Sequence, residues 1–478
     1  MADIRLNAER EGQPVVLGVA KSVKQGDQRV AVPPDGIRAL RYAGWQSLRE
    51  GQARDLHVLV EHGAGAAVGF TDEMYAEAGA ELVSFEVIRN RADILVDVKQ
   101  RVDPDDPDGR YLLPGKIHVF YAHVEKGQGM AQLKALLLHG RNEKGHGATL
   151  YSPETFFRHG ADHLGDREEA GQRLINLGYE SGVGAAYTAM EGVKISYEAR
   201  AQRPAPFAFM PDLDETTCES GQPDDPLDVR VVPIKDRVKW IRERLGDAER
   251  NLRFGIIGSE NGLSASGAKR VLDACGLTSE FLNREVTGNK ATLKERLQAC
   301  DAVINCSTWY PGDPRIIDKA EIESMKEGAV FVDSTCDQDA RDPDAAPKLL
   351  GGVRYSYESR WGDPWRYYWV GPTRNTRWDP TPRERPIAEK PEDKTHVLYS
   401  ACGMIPGGPT SARRAGLAYF GMLFPYLVGI IRAVAQGVEL PREGLVLLDG
   451  RVVHPGLRKL IFERPEPEFK QYKNSKYL

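Results

Sequence analysis

A chain of 478 residues exceeds one ordinary domain and, at roughly 150 residues per domain, implies two or three. With 41% hydrophobic residues, 28% charged residues and a formal net charge of −5, it has no whole-chain basic surplus, so neither nucleic acid nor an anionic membrane is an expected partner. The opening MADIRLNAEREGQPVVLGVAKSVK carries charges where an export signal needs an apolar stretch, which predicts a cytoplasmic protein, and six scattered cysteines without CxxC pairs or nearby histidines predict neither a metal site nor a disulfide framework.

Strand and helix signals alternate from the start: PVVLGVA, PPDGIRALRYAG, DLHVLVE, TDEMYAEAGAELV, ADILVDVK, KIHVFYA and GMAQLKALLLHG. Such alternation predicts an α/β fold with a mostly parallel sheet covered by helices. A long helical stretch follows, EEAGQRLINLGYESGVGAAYTAMEGVKISYEARA, in which Gly178, Gly182, Gly184, Ala185 and Ala186 permit close backbone packing. Residues 200–230, rich in Pro and Asp, read as loop. From VKWIRERL onward a second alternation runs through LRFGIIG, SASGAKRVLDACG, EFLNRE, TLKERLQA, CDAVINCS, KAEIESMK and GAVFVDS, a second doubly wound unit.

Residues 340–395 break the pattern with aromatics, prolines and arginines, and read either as a surface excursion or as a lid bearing Trp361, Trp365, Tyr367 and Tyr368. HVLYSACGMIPGGPTSARRAGLAYFG then returns to a strand, a Gly/Pro turn and a helix. The uncharged run 415–431, interrupted by Pro425, approaches membrane-spanning length but reads as a buried helix, since no second such segment accompanies it. Two Rossmann-like domains result: 1–195 joined by 396–478, and 196–395 with an insertion at 341–395. An active-site cleft is expected between them.

FGIIGSENGLSASGAKRVL has the strand, glycine turn and helix of a dinucleotide site, but its glycines, Gly258, Gly262 and Gly267, depart from the GxGxxG spacing. Ser264, Ala265 and Ser266 are small enough to leave the backbone approachable, and a further strand arrives about 20 residues on, where ribose-reading residues belong. That strand ends in Asn283 and Arg284. An amide and a guanidinium suit a 2′-phosphate, so NADPH is expected, with Ser259 and Lys290 as further donors; Glu285 is the contrary sign and NADH the alternative. Cys306 and Ser307, at the end of CDAVINCS, complete the expected cofactor site.

VAKSVKQGDQRVAVPPDGIRALRYAG resembles the opening of the alanine dehydrogenase and lysine-forming saccharopine dehydrogenase superfamily. GAGAAVGFTDEMYAEAGAELV is similar to N5-(carboxyethyl)ornithine synthase and its relatives. YAHVEKGQGMAQLKALLLHGRNEKGHGATLYSPETF resembles the saccharopine dehydrogenase pattern, and GAVFVDSTCDQDA continues the match. The resemblance covers most of 14–340 and returns at about 396–435. It departs at the glycine turn, which is one residue longer, and throughout 341–395.

The resemblance implies an oxidoreductase that joins an amine or amino acid to a 2-oxo acid as a secondary amine of the opine or saccharopine type, with hydride passing between C2 and a nicotinamide. It implies acid–base roles for Lys99 and His123, a place near nicotinamide and substrate for Asp337, and carboxylate binding by Arg29, Lys126 and Arg173. Residue by residue, blander readings stand beside these: Arg29 and Lys99 as solvated charges, His123 as structural, Asp337 as a turn former, and Lys126 and Arg173 as helix charges. His146 and Lys144 read as local structure. Reductive amination with ammonia, and a non-catalytic NAD(P)-binding regulator, are the alternatives, and a homo-oligomer is compatible with either.

Overall fold

The computed structural model describes residues 14–23, 27–49, 55–99, 113–122, 146–156, 173–201, 252–307, 316–317, 321–322, 324–334, 368–370, 397–401, 407–408, 411–455 and 457–458. The chain divides into two compact units, one of Met1–Asn176, Gly221–Val229 and Ala412–Leu478, the other of Leu177–Ser220 and Arg230–Ser411.

The first unit is built on an eight-stranded sheet: β1 (Val15–Val19), β2 (Leu56–Glu61), β3 (Glu81–Val83), β4 (Ile94–Lys99), β5 (Ile117–Tyr121), β6 (Thr149–Tyr151), β13 (Leu445–Leu448) and β14 (Arg451–Val452). The spatial order is β14-β13-β6-β5-β4-β1-β2-β3. The pairs from β3 to β6 are parallel, and β13 closes the far side antiparallel to β6. Every residue of β4 and β5 is buried, as expected of central parallel strands covered on both faces. The strand order reverses between β1 and β4, so the crevice beyond their carboxyl ends is the switch point at which doubly wound sheets bind ligands.

Helices α1 (Pro34–Arg49), α2 (Asp72–Glu77) and α3 (Phe85–Arg91) connect these strands. Thr71 caps α2 by accepting a hydrogen bond from the Met74 N–H at 3.3 Å. The apolar run anticipated above becomes α8 (Ala412–Gln436), which is, among the described residues, the one helix long and apolar enough to cross a membrane. Its Tyr419, Leu423, Leu427 and Ile430, spaced four and three residues apart, form a fully buried stripe, and the helix packs on α1, β1 and β4.

The second unit carries β7 (Arg253–Ile257), β8 (Thr278–Leu282), β9 (Ala302–Asn305), β10 (Val330–Asp333), β11 (Tyr368–Val370) and β12 (Val397–Ala401) in the order β11-β12-β10-β9-β7-β8. All pairs are parallel except β11 with β12. Helix α4 (Gly178–Ala201) lies directly on α5 (Leu263–Ala274). A Cβ at Gly182 would fall 1.7 Å from the Ser264 carbonyl oxygen, and one at Gly267 would fall 2.2 Å from that of Tyr179. The small residues therefore bring backbone against backbone.

These contacts correct the expected boundaries. Residues 177–195 belong to the second unit because α4 packs on α5, β9 and β10, and 396–411 belong there because β12 pairs with β10. The long helix begins at Gly178; residues 173–177 are not helical. Within 341–395, Tyr368 lies in a sheet strand, opposite Tyr399, and not in a surface excursion. Trp361, Trp365 and Tyr367 lie outside the described residues.

Candidate functional site

In the second unit the strand order reverses between β7 and β9, and the opening glycine turn leaves β7 at that point. Gly258 adopts φ +150°, and a Cβ there would come within 3.0 Å of the Ala265 Cβ and 3.7 Å of the Cys306 Cβ. The position therefore requires glycine. Gly262 is the N-cap of α5 and offers no side chain to cap it, which leaves the first-turn N–H groups to an incoming ligand. Ala265 and Gly267 are buried against their neighbours, Ser264 is half-buried and Ser259 is exposed.

The opposite lip is formed by the ends of β9 and β10. Asn305 and Asp333 are fully buried, and the Asn305 amide donates to Asp333 Oδ1 at 3.0 Å. Asn305 Oδ1 accepts from the Ser307 hydroxyl at 2.7 Å and from its N–H at 3.2 Å, and the Ser334 hydroxyl donates to the Asn305 carbonyl at 2.6 Å. This network fixes Cys306 and Ser307 at the switch point. Burial pushes the Cys306 thiol up to about 12, so it stays neutral and packs as a small apolar group.

The expected 2′-phosphate reader is partly reassigned. Asn283 Oδ1 caps α6 (Arg284–Gly288), accepting from the N–H groups of Glu285 and Val286 at 3.1 and 3.2 Å. Lys290, the first residue of α7 (Lys290–Ala299), turns instead to the Glu321 carboxylate at 3.1 Å and the Ile316 carbonyl at 2.9 Å. Arg284 is exposed at the start of α6. The glycine turn, the open helix N-terminus and the small side chains fit a dinucleotide.

In the first unit, Arg29 is not a surface charge. It is 2% exposed, and its Nε and Nη2 donate to Asp27 Oδ1 and Oδ2 at 2.8 and 2.7 Å. The Arg29 N–H donates to Oδ1 as well, at 3.1 Å. Burial opposes the guanidinium charge, but the Asp27 carboxylate outweighs it and holds the Arg29 pKa above its ordinary value. Asp27 occupies two of the five side-chain N–H donors of Arg29, along the edge formed by Nε and Nη2.

Lys99, at the carboxyl end of β4, is buried, with its Nζ 5.3 Å from the centre of the Tyr121 ring. That ring lies 5.5 Å from the Tyr419 ring of α8, and the Tyr419 hydroxyl donates to the Asp97 carbonyl at 3.1 Å. Burial, then the neighbouring Tyr121 and Asp97, push the Tyr419 hydroxyl well above its usual pKa, so it is a hydrogen-bond donor throughout the physiological range. Glu154, buried in the short turn Pro153–Thr155, adds a further carboxylate to the field around Tyr419.

Tyr121 and Tyr419 are electrostatic neighbours of Arg29 and Tyr121 lies beside Lys99, so the two rings link both cations in one buried polar cluster of the first unit. Arg173 forms an isolated bridge and is half-buried. His123, Lys126, Lys144 and Asp337 lie outside the described residues; His146 is half-buried beside Gly147, whose N–H donates to Asp449 Oδ1 at 2.6 Å. Sequence reading missed Asp27, Asp97, Tyr121, Tyr419, Asn305 and Asp333. Asp27 carried a signal, an acid two residues before the arginine in one loop. Tyr419 carried none, being an aromatic in an apolar helix.

Residues 18–142 match the family model described as alanine dehydrogenase/PNT, N-terminal domain. Alanine dehydrogenase 1 of Staphylococcus aureus is 23% identical over 358 residues, covering 72% of this chain and 78% of that protein. An L-alanine dehydrogenase structure shares the fold with a TM-score of 0.56 at 18% identity, covering 94% of this chain and 99% of that one. A transhydrogenase from Sinorhizobium meliloti does so with a TM-score of 0.50 at 16% identity, covering 92% and 99%. With the doubly wound sheets and the glycine turn described above, these matches make the chain similar to the alanine dehydrogenases, oxidoreductases whose N-terminal domain residues 18–142 resemble.

Proposed function

We propose that the protein condenses an amino group with a 2-oxo acid and reduces the resulting imine with NADPH, yielding a secondary amine. The observation that carries this reading is the buried Arg29–Asp27 pair sharing a switch-point cluster with Lys99. A guanidinium held rigidly in a dry site, with donors left over, suits the carboxylate of an oxo acid. The relatives that are named alanine dehydrogenases support a second reading, in which ammonia is the amine.

In the proposed reaction Arg29 holds the oxo-acid carboxylate and so orients C2. Lys99, working with His123, takes the proton from the incoming ammonium nitrogen and returns it to the carbinolamine oxygen, which leaves as water. Stacking against Tyr121 keeps the Lys99 ammonium, formed when the neutral amine takes that proton, out of bulk solvent until the proton is returned. The nicotinamide, when bound, supplies the hydride that reduces C2. Gly258, Gly262, Ser264, Ala265 and Ser307 would hold the dinucleotide, and Arg284 with the Asn283 amide nitrogen would face the 2′-phosphate.

The test is NADPH and NADH oxidation against a panel of 2-oxo acids, each with amino acids or ammonia. Turnover with amino acids supports the proposal. Turnover with ammonia alone transfers it to the second reading, and no turnover with any pair rejects both.

A further inference from the structure

Strand β4 runs in register with β5 at Ile94, Leu95 and Val96, opposite Ile117, His118 and Val119. The next recorded pair is Lys99 opposite Tyr121, so β4 takes three steps where β5 takes two. One extra residue is therefore inserted at Asp97–Val98. Because side chains alternate faces along a strand, a residue three positions after Val96 would ordinarily point to the opposite face. The inserted residue returns Lys99 to the face of Val96 and places it beside Tyr121. Bulges next to functional sites re-aim a side chain in this way.

A bulge displaces backbone groups from the ladder, and here two side chains take them up. Asp97 Oδ1 accepts from the Val98 N–H at 2.7 Å, and the Asp97 carbonyl accepts from the Tyr419 hydroxyl at 3.1 Å. Tyr419 is fully buried on α8, which packs against β4, and its ring lies 5.5 Å from that of Tyr121. We infer that Tyr419 is a positioning residue: by holding the Asp97 carbonyl it maintains the bulge that aims Lys99 at the reacting centre. The inference rests on the proposed acid–base role of Lys99. Tyr419 itself touches neither substrate nor cofactor in this reading.

The test is a double-mutant cycle on the full-length protein with Tyr419→Phe, Lys99→Ala and the combination, each turnover being expressed per NADPH-binding site titrated by nucleotide fluorescence. That normalisation keeps a partly folded variant from imitating an inactive one. Because an error of about 1 Å in a catalytic group can cost on the order of 100-fold, Tyr419→Phe is expected to lower kcat by roughly 10- to 100-fold with the KM for NADPH unchanged. In the Lys99→Ala background the same substitution is expected to change kcat by less than about twofold, since residues acting through one another are not additive. Tyr419→Phe lowering kcat equally in both backgrounds, or not at all, overturns the inference and leaves the role of Lys99 standing. Full turnover by Lys99→Ala overturns that role, and the inference with it.

Discussion

The Asp27→Asn substitution probes the buried ion pair on which carboxylate capture depends. The two side chains are 1% and 0% exposed, and the pair is held by two charge-assisted hydrogen bonds at 2.7 and 2.8 Å. Removing the carboxylate charge leaves the Arg29 guanidinium buried without the carboxylate that clamps it, a change that costs about 3–5 kcal/mol in comparable buried pairs. Coulomb attraction at about 4 Å and an effective dielectric constant of about 20 gives about 4 kcal/mol, in agreement. Against a total stability of roughly 5–15 kcal/mol this is a large share. Hydrogen exchange of 15–19 and 56–61 across a urea series reads the first unit alone, and its midpoint is expected to fall substantially. The oxo-acid KM is expected to rise with it, because the guanidinium is no longer clamped. A denaturation midpoint equal to that of the parent would refute the view that Asp27 compensates the Arg29 charge.

Gly267→Ala places a Cβ 2.2 Å from the Tyr179 carbonyl oxygen, which cannot yield without separating α4 from α5; a loss of roughly 1–3 kcal/mol is expected in the second unit, checked by exchange of 253–257. Arg284→Ala is expected to lower the ratio of NADPH to NADH efficiency by roughly 10- to 100-fold, since a charge-assisted contact is worth about 1.5–3 kcal/mol; an unchanged ratio removes Arg284 from the cofactor site. Desolvation in β5 lowers the His118 pKa to about 4, against about 6.5 in the unfolded chain, so the unfolded state binds the extra proton between these values. Stability is then expected to fall by roughly 3 kcal/mol as pH drops from about 6.5 to 4, and His118→Gln is expected to flatten that dependence in pH-dependent urea titrations.

The two doubly wound sheets were legible in the sequence because a central parallel strand must be apolar on both faces: ILVDVK and IHVFY announce β4 and β5 without any knowledge of their neighbours. The glycine turn was legible for a similarly local reason, as strand, Gly258 and helix are consecutive in the chain. The glycines of α4 indicated close packing but not its partner, α5, which lies some 80 residues on, and so the boundary between the units was misplaced. Composition alone left the aromatic-rich segment open between a surface excursion and a lid. Tyr368 shows that part of it is an edge strand, because pairing with β12 depends on backbone hydrogen bonds that no residue type declares.

The same division runs through the site. Lys99 at the end of an apolar strand and Arg29 in a charged loop were visible as residues, since charges at such places stand out against their neighbours. Whether they were solvated or buried was decided by the tertiary structure, because burial of a charge depends on groups that only folding assembles: Asp27 closing on Arg29, and Tyr121 beneath Lys99. Tyr419 is the extreme case. It is distant in sequence from β4, sits in an apolar stripe that any core helix would show, and gains its role only when α8 carries its hydroxyl to a carbonyl displaced by one inserted residue.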